Sequence, residues 1–336
     1  MTVQLGAHIG QQNLSMGELR ALWRRLDDDG LDWLSLWDHL YEAPPAGGTI
    51  DHFEPVAALG AMAIETVNAR LGCLVFYVGY RNAGVLAKAA ITLDHLSEGR
   101  FELGLGGGWH QPEAVAYGYD FPRAGIRLDH LEEAAAVIGE MLTPAAAGPG
   151  THSRIDADGI RRTSFDGEHV RLVDASCLPQ PAGRLPLWIG GRGEKRTLRT
   201  VARYADGWNA AYVSAEEFGR LNGVLDDWCV AEGRDRSDIE RSVNLSFALG
   251  RNAERAEAIR AEGFRAWGAR AEAIMAGTLL GTPDDAFDAV MAYVANGAQL
   301  VNVALRAPFD ERALRVYVEE VVPAVRAATE AGSGSS

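Results

Sequence analysis

The sequence is poor in lysine and cysteine and has no long apolar run. Lys88 and Lys195 are the only lysines among its 32 basic residues. The three cysteines, Cys73, Cys177 and Cys229, are far apart and form no C-x-x-C pair, so they exclude a cysteine metal site and predict free, buried thiols. Without a run of about 18 apolar residues, the chain has no predicted transmembrane helix.

The chain also lacks an excess of positive charge. Its 46 acidic and 32 basic residues give a formal net charge of -14, which repels phosphate backbones and argues against nucleic acid as a partner. The first residues, Met1 to Leu5, contain neither a basic leader nor an apolar signal core. We therefore expect a cytoplasmic protein that binds neither nucleic acid nor a membrane.

What the sequence does contain is a repeated alternation of short apolar runs and amphipathic stretches. The first helix pattern covers Ser15–Asp29, where Ser15 followed by Glu18 predicts a capping box. Comparable strand and helix pairs recur along the chain. The eight predicted strands are Val3–Ile9, Trp33–Trp37, Arg70–Val78, Arg100–Leu105, Leu185–Ile189, Trp208–Tyr212, Arg241–Leu249 and Leu300–Leu305.

Strands that alternate with helices indicate parallel pairing. Two folds satisfy this pattern: an open doubly wound sheet and a closed eight-stranded barrel. An open nucleotide-binding sheet has a glycine-rich loop in its first strand-to-helix turn, whereas this turn reads Gly10-Gln11-Gln12-Asn13. Eight units without that fingerprint predict an α/β fold of the (β/α)8 TIM barrel type, which needs about 250 residues.

The remaining length falls mainly in residues 143–175, before the fifth strand. Residues 143–162 are rich in Ala, Gly, Pro and Asp, which indicates a surface excursion, and residues 163–174 have the pattern of a β-hairpin. The excursion is either a lid over the substrate entrance or a dispensable loop. We predict one barrel domain over residues 1–330 and a disordered tail at 331–336.

In such a barrel, functional residues follow the carboxyl ends of the strands. Asp38 and His39 come directly after the second strand. A histidine whose unperturbed pKa is about 6.5 suits proton transfer near neutral pH, and the adjacent carboxylate can orient a ligand or tune the imidazole. The alternative is a capping aspartate next to a surface histidine.

A glycine-rich turn, Gly190-Gly191-Arg192-Gly193, follows the fifth strand and precedes a helix that we expect to begin at Glu194. Glycines let backbone N–H groups approach a phosphate, and a helix N-terminus favours an anion. Arg192, Lys195 and Arg196 add positive charge to an otherwise acidic chain. The turn predicts an anion site, with a flexible turn as the alternative.

A second glycine-rich run, Gly104–Gly108, follows the fourth strand. It is not the dinucleotide fingerprint, and it either lets a ligand approach the backbone or makes a tight strand exit. Trp109 and His110 come next and are candidates for a wall against a planar ligand. Arg306, at the end of the last strand, is a candidate contact for an anionic substrate group.

Several stretches together resemble the bacterial luciferase-like superfamily of flavin and deazaflavin barrels, and they cover essentially the whole chain. Within it, the resemblance is greatest to oxidoreductases that use coenzyme F420 and have an Asp-His pair after the second strand. The matching stretches are LSLWDHL, LAKAAITLDHLSEGRFELGLGGGWHQPE, SFDGEHVRLVDASCLPQPAGRLPLWIGGRGEKRTLRTVARYADGWN, GTPDDAFDAVMAYVANGAQLVNVAL and VVPAVR.

The resemblance implies that coenzyme F420 exchanges a hydride with a small organic substrate, with His39 as the acid/base group. It also implies a non-prolyl cis peptide bond near Cys73–Val75 and a cofactor phosphate on Gly190–Gly193, with Gly106–Gly108 beside it. The implied cofactor contacts are Asp38, Cys73, Leu74, Val75, Gly106, Gly107, Gly108, Gly190, Gly191, Arg192 and Gly193. The substrate contacts would be Trp109, His110 and Arg306, and no metal is expected.

Two departures from the family bear on the substrate. Members that oxidise a sugar phosphate have a glutamate in the loop after the fourth strand, where this chain has glycine near Gly107, and lysines for the phosphate. We therefore expect a different small molecule as substrate, and a homodimer. The alternatives are an FMN-dependent two-component monooxygenase that activates oxygen and a barrel that binds its cofactor without turnover.

Overall fold

A computed structural model describes residues 2–42, 47–143, 151–267 and 271–333. Within these ranges, eight parallel strands form a closed barrel and a separate three-stranded antiparallel sheet lies between the fourth and fifth of them. In chain order the strands are β1 (Gln4–Ile9), β2 (Trp33–Leu36), β3 (Arg70–Tyr77), β4 (Phe101–Gly106), β5 (Ser153–Ile155), β6 (Arg161–Asp166), β7 (Arg171–Ser176), β8 (Leu187–Gly190), β9 (Gly207–Ala211), β10 (Glu240–Leu249), β11 (Thr278–Gly281) and β12 (Leu300–Leu305).

Helices follow the barrel strands and cover their outer faces. The helices in the described ranges are α1 (Met16–Asp28), α2 (Pro55–Glu65), α3 (Ala83–Leu96), α4 (Gln111–Ala116), α5 (Ala124–Leu142), α6 (Thr197–Tyr204), α7 (Ala215–Glu232), α8 (Ala253–Trp267), α9 (Ala271–Met275), α10 (Pro283–Ala295), α11 (Glu311–Val316) and α12 (Val322–Ser333). The capping box predicted for α1 is confirmed, because Ser15 and Glu18 satisfy each other's backbone N–H groups.

The barrel closes through pairing of β9 with β10, and β12 pairs with both β10 and β1. All these pairs are parallel, so the carboxyl ends of the strands meet at one rim, which we call the mouth. The predicted (β/α)8 fold is confirmed. The sequence prediction missed β11, a strand of four residues that adds to β10 without entering the barrel order.

The predicted hairpin is present as β6 and β7, and β5 adds a third strand. It is fastened to α5, where the Glu133 carboxylate accepts hydrogen bonds from the N–H groups of Glu168, His169 and Val170. It is also fastened to α3, where Lys88 donates to the Leu178 carbonyl. Residues 144–150 lie outside the described residues, so a lid role for the excursion stays a prediction.

Two predictions about the rest of the chain have different outcomes. Cys73, Cys177 and Cys229 are free and buried, as expected. The disordered tail at 331–336 stays a prediction, since α12 extends to Ser333 and residues 334–336 lie outside the described residues. Among the described helices, none is long and apolar enough to cross a bilayer.

The interior of the barrel combines an aromatic layer with a charged base. Trp33 and Trp188 are fully buried with ring centroids 4.7 Å apart. Below them, the Glu102 carboxylate pairs with Arg70 and accepts a hydrogen bond from Trp188 Nε1. Burial raises the pKa of Glu102 from its ordinary 4.5 to about 7, although the Arg70 charge opposes this shift.

Replacing Glu102 by glutamine should alter how stability depends on pH. The raised pKa means that the folded protein holds a proton that the unfolded chain releases between pH 4.5 and about 7. Over that window the free energy of unfolding of the wild type should fall by about 3 kcal/mol relative to Glu102→Gln. Urea unfolding at several pH values measures the difference, and parallel curves for the two proteins would contradict the expectation.

Candidate active site

Asp38 and His39 follow β2 at the mouth, but their side chains do different things. The Asp38 side chain is completely buried, and both of its oxygens accept from Arg81 Nη1, at 2.8 and 2.7 Å. The N–H of Tyr77, the last residue of β3, donates to the same carboxylate at 2.9 Å. Burial raises the pKa of Asp38, and Arg81 opposes this. The carboxylate therefore fastens the end of β2 to that of β3.

The end of β3 bulges into the barrel. The peptide bond between Leu74 and Val75 is cis, within the segment where the resemblance places one, and the pairing of β3 with β4 shifts register between Cys73 and Phe76. Cys73 itself is fully buried.

Glycines surround the Val75 side chain. A Cβ atom at Gly106 would lie 2.3 Å from Val75 Cγ2, and one at Gly190 would lie 2.7 Å from Val75 Cγ1. Real side chains do not approach so closely, so larger residues at either position would displace the bulge. Both strand-end glycines of the sequence prediction are thus required by packing around Val75.

His39 is held by a residue that the sequence prediction did not single out. Its Nδ1 lies 2.8 Å from Oε2 of Glu113, which belongs to the first turn of α4. Trp109 and His110 contact the same imidazole edge-on, with ring centroids at 5.5 and 5.8 Å. The mouth therefore brings His39, Trp109 and His110 together.

Glu113 is the centre of this arrangement. Its side chain is 1% exposed, and its Oε1 accepts hydrogen bonds from the N–H groups of Leu40 and Tyr41. The Tyr80 hydroxyl donates to Oε2 at 3.0 Å. Burial alone would raise the pKa of Glu113, but hydrogen bonds and the nearby His39 lower it to about 2. The available sequence signal was a carboxylate seven residues after the end of β4, and the glycine-rich run before it drew attention away from it.

Trp109 and His110 form a wall of the mouth. Their rings stack with centroids 4.9 Å apart, and Trp109 is 61% exposed. His110 is buried, and its Nδ1 has no hydrogen-bond partner, although Glu113 Oε2 lies 3.5 Å away. Burial lowers the pKa of His110. An exposed aromatic face thus covers a buried neutral imidazole.

Another part of the mouth is formed by β1, β2 and β12. His8 is buried against Ser35 Oγ at 2.9 Å, and burial together with the charge of Arg306 lowers its pKa to about 3. The exposed Arg306 guanidinium lies 4.9 Å from the centre of the Trp37 ring. Arg306 therefore reaches the mouth, where the sequence prediction placed it.

The glycine-rich turn after β8 differs from its prediction in two respects. α6 begins at Thr197 and not at Glu194, because Arg196 has non-helical dihedral angles, with φ -123 and ψ -54. Arg196 pairs with Asp129 on α5, so it does not contribute to a free positive cluster. Gly191 donates its N–H to the Asn209 carbonyl. Arg192 and Lys195 remain exposed.

Comparison with known proteins places these features in a family. A curated F420-dependent glucose-6-phosphate dehydrogenase of Microbacterium testaceum is 27% identical over 253 residues, which are 74% of this chain and 69% of that protein. An F420-dependent secondary alcohol dehydrogenase in complex with an F420-acetone adduct has a TM-score of 0.81 at 17% identity, covering 97% of this chain and 99% of that one.

Monooxygenases share the same fold. EDTA monooxygenase from Chelativorans sp. BNC1 has a TM-score of 0.77 at 14% identity, with 98% of this chain and 94% of that chain covered. The family of luciferase-like monooxygenases matches residues 1–281, which is most of the sequence. The chain is therefore a member of the luciferase-like monooxygenase family.

Proposed function

We propose that the protein is an oxidoreductase that uses coenzyme F420 to transfer a hydride to or from a small organic substrate. The observation that carries this proposal is the His39–Glu113 pair, which fixes an imidazole at the mouth beside the β3 bulge. The curated relative with the same named cofactor supports F420, whereas the shared barrel alone is compatible with flavin as well.

The turn after β8 fits the anionic tail of a cofactor. The glycines around the bulge make room for Val75 and for the Cys73 carbonyl, whose oxygen would lie 2.1 Å from a Cβ atom at Gly104. Within the described residues, the N–H groups of Arg192 and Gly193 donate to no protein acceptor. With the exposed Arg192 guanidinium, these donors suit a phosphate.

His39 would handle the proton that accompanies hydride transfer. When bound, coenzyme F420 supplies a deazaflavin ring that exchanges hydride at its C5 atom. Because Glu113 is an anion, it favours the His39 tautomer with the proton on Nδ1, which leaves the Nε2 lone pair to accept a proton from a substrate hydroxyl. In the reverse direction the imidazolium returns that proton.

The charged groups at the mouth indicate which substrates to test. Arg306 is exposed above Trp37 and suits an anionic or polar group. Lys88 is engaged with the Leu178 carbonyl on the outer wall, away from the mouth. Lys88 is therefore not free to hold a sugar phosphate, and Lys195 lies in the turn assigned above to the cofactor phosphate. We expect glucose 6-phosphate not to reduce the cofactor.

Cofactor titration tests this proposal. The purified chain should bind coenzyme F420, monitored by quenching of its fluorescence, and should bind FMN at least about 10-fold more weakly, a difference of about 1.4 kcal/mol. Arg192→Ala should weaken F420 binding by about 10-fold through loss of a charge-assisted hydrogen bond.

Arg236 provides the matched control, since it is also an exposed arginine and lies just before β10, at the opposite end of the barrel. Arg236→Ala should bind F420 as the wild type does. Tighter binding of FMN than of F420 would overturn the cofactor assignment, and unchanged affinity of Arg192→Ala would remove Arg192 from the phosphate site.

A further inference from the structure

We propose that His39, His110 and Glu113 form a binding site for a transition-metal ion of the Zn²⁺ class. Each residue offers one ligand atom, and these atoms all lie within 4.8 Å of one another. Glu113 Oε2 is 2.8 Å from His39 Nδ1 and 3.5 Å from His110 Nδ1. No other such group of three is found in the described part of the chain.

The unpartnered nitrogen of His110 is an independent sign of a ligand. His110 is 5% exposed, and its Nδ1 has no hydrogen-bond partner. A buried polar atom without a partner is costly, and a native protein usually satisfies it with a protein group, water or an ion. A metal ion between His110 and Glu113 would satisfy this nitrogen.

The ligand set has the right chemistry for such an ion. Two imidazoles and one carboxylate make a three-ligand zinc site that leaves a fourth position open. Metal–ligand bonds of about 2.0–2.2 Å place neighbouring ligand atoms roughly 3.4 Å apart. The pair of His110 and Glu113 already has this spacing, and His39 needs to retreat from Glu113 by about 0.6 Å. The ligand atoms of His39 and His110, up to 4.8 Å apart, need to approach each other by up to about 1.4 Å.

The surroundings of Glu113 are also those of a supported metal ligand. Its second oxygen is held by the N–H groups of Leu40 and Tyr41, and the Tyr80 hydroxyl contacts Oε2. Such outer hydrogen bonds orient metal-binding carboxylates. The open fourth position would face the mouth, where the exposed Trp109 ring lies next to His39.

Metal binding would change what His39 can do. Coordination through Nδ1 requires the proton on that atom to leave to solvent, and the remaining proton then lies on Nε2. In this form Nε2 donates a hydrogen bond but cannot accept a proton. The ion would therefore compete with the proton transfer proposed above, although the site itself is inferred from geometry that is independent of the cofactor.

Cobalt titration of the full chain, without cofactor or substrate, tests the site. Co²⁺ should produce visible ligand-field bands that saturate at one ion per chain and disappear on addition of Zn²⁺. His110→Ala should bind Co²⁺ at least about 10-fold more weakly, the lower end of what loss of a supporting residue costs. A near-ultraviolet thiolate band would instead indicate cysteine ligands and overturn the proposal.

His152 offers a matched control. Its Nδ1 lies 2.8 Å from a Glu140 oxygen, the same distance as in the His39–Glu113 pair, but without a third ligand. His152→Ala should bind Co²⁺ like the wild type. Equal binding by His110→Ala and the wild type, or no saturable bands at all, would overturn the proposal.

A second variant keeps the metal site testable if His110→Ala does not fold. Glu113→Gln keeps the shape of the side chain and removes the anionic ligand, so it should also lose the Co²⁺ bands. Circular dichroism shows whether each variant is folded, and retention of the bands by a folded Glu113→Gln would again overturn the site. Since cofactor binding is measured separately, failure here leaves the proposed function untouched.

Discussion

Replacing His39 by alanine should lower the turnover number by about 10²–10⁴-fold, the usual contribution of a positioned acid/base group. The affinity for coenzyme F420 should stay unchanged, because the contacts inferred for its phosphate involve the turn after β8. Steady-state kinetics with any substrate found in an F420-reduction screen gives the turnover number, and fluorescence titration gives the affinity. An equal loss in both quantities would make His39 a cofactor-binding residue.

Glu113→Gln tests whether the orientation and tautomer of His39 matter for turnover while the His39 side chain itself is kept. The amide oxygen can still accept the hydrogen bond from His39 Nδ1, but the neutral group no longer favours a proton there and leaves the N–H groups of Leu40 and Tyr41 with a weaker acceptor. Turnover should fall by about 10²-fold, the cost of a misplaced reacting group, with KM little changed.

The controls for these variants come from the same chain. Glu140→Gln alters the pair that Glu140 on α5 makes with His152, which has the same N–O distance of 2.8 Å and is more exposed, and it should leave turnover unchanged. Added imidazole should restore part of the activity of His39→Ala, because a free base can enter the space left by the side chain. Full activity in Glu113→Gln would show that Glu113 does not position His39.

Replacing Asp38 by alanine should destabilise the protein by about 3–5 kcal/mol, the cost of breaking a buried ion pair by removing one partner. The variant leaves Arg81 Nη1 and the N–H of Tyr77 without the acceptor that the fully buried Asp38 side chain provides. Urea unfolding followed by tryptophan fluorescence measures the loss. A change below about 1 kcal/mol, typical of exposed pairs, would contradict this account.

The contrast between Asp38 and Glu54 gives a control on the same arginine. Glu54 also pairs with Arg81, at 2.9 Å, but its side chain is 44% exposed. Glu54→Gln, which keeps the acceptor for the N–H of Ala57 at the start of α2, should cost less than about 1 kcal/mol. The double variant Asp38→Ala/Arg81→Ala should be less destabilised than the sum of the two single changes.

The fold was accessible from the sequence because its signals are local. Strand and helix patterns of period two and 3.6 repeat eight times, and caps such as Ser15 lie beside the helices they begin. The sequence predictions were less accurate where a side chain pairs with a residue that is distant in sequence. The interaction of Arg196 with Asp129 spans 67 residues, and no local pattern reveals that its charge is already neutralised.

The candidate site was only half predictable for the same reason. The position after β2 drew attention to Asp38 and His39, but the two roles depend on Arg81 and Glu113, which lie 43 and 74 residues further along the chain. The phosphate contacts of the glycines stay a prediction, and the packing of Gly106 and Gly190 against Val75 was not foreseen. The fold type predicts that the strand ends lie together. Which side chains pair with one another across those ends is seen only in the three-dimensional structure.

One carboxylate joins three consecutive loops of the mouth. Glu113 lies after β4, accepts from Leu40 and Tyr41 after β2, and accepts from Tyr80 after β3. Any opening that separates one of these loops has to break a hydrogen bond to a buried anion. The amide hydrogens of Leu40 and Tyr41 should consequently exchange with solvent more slowly than is usual for residues in loops. The three loops should open together, as a single cooperative unit.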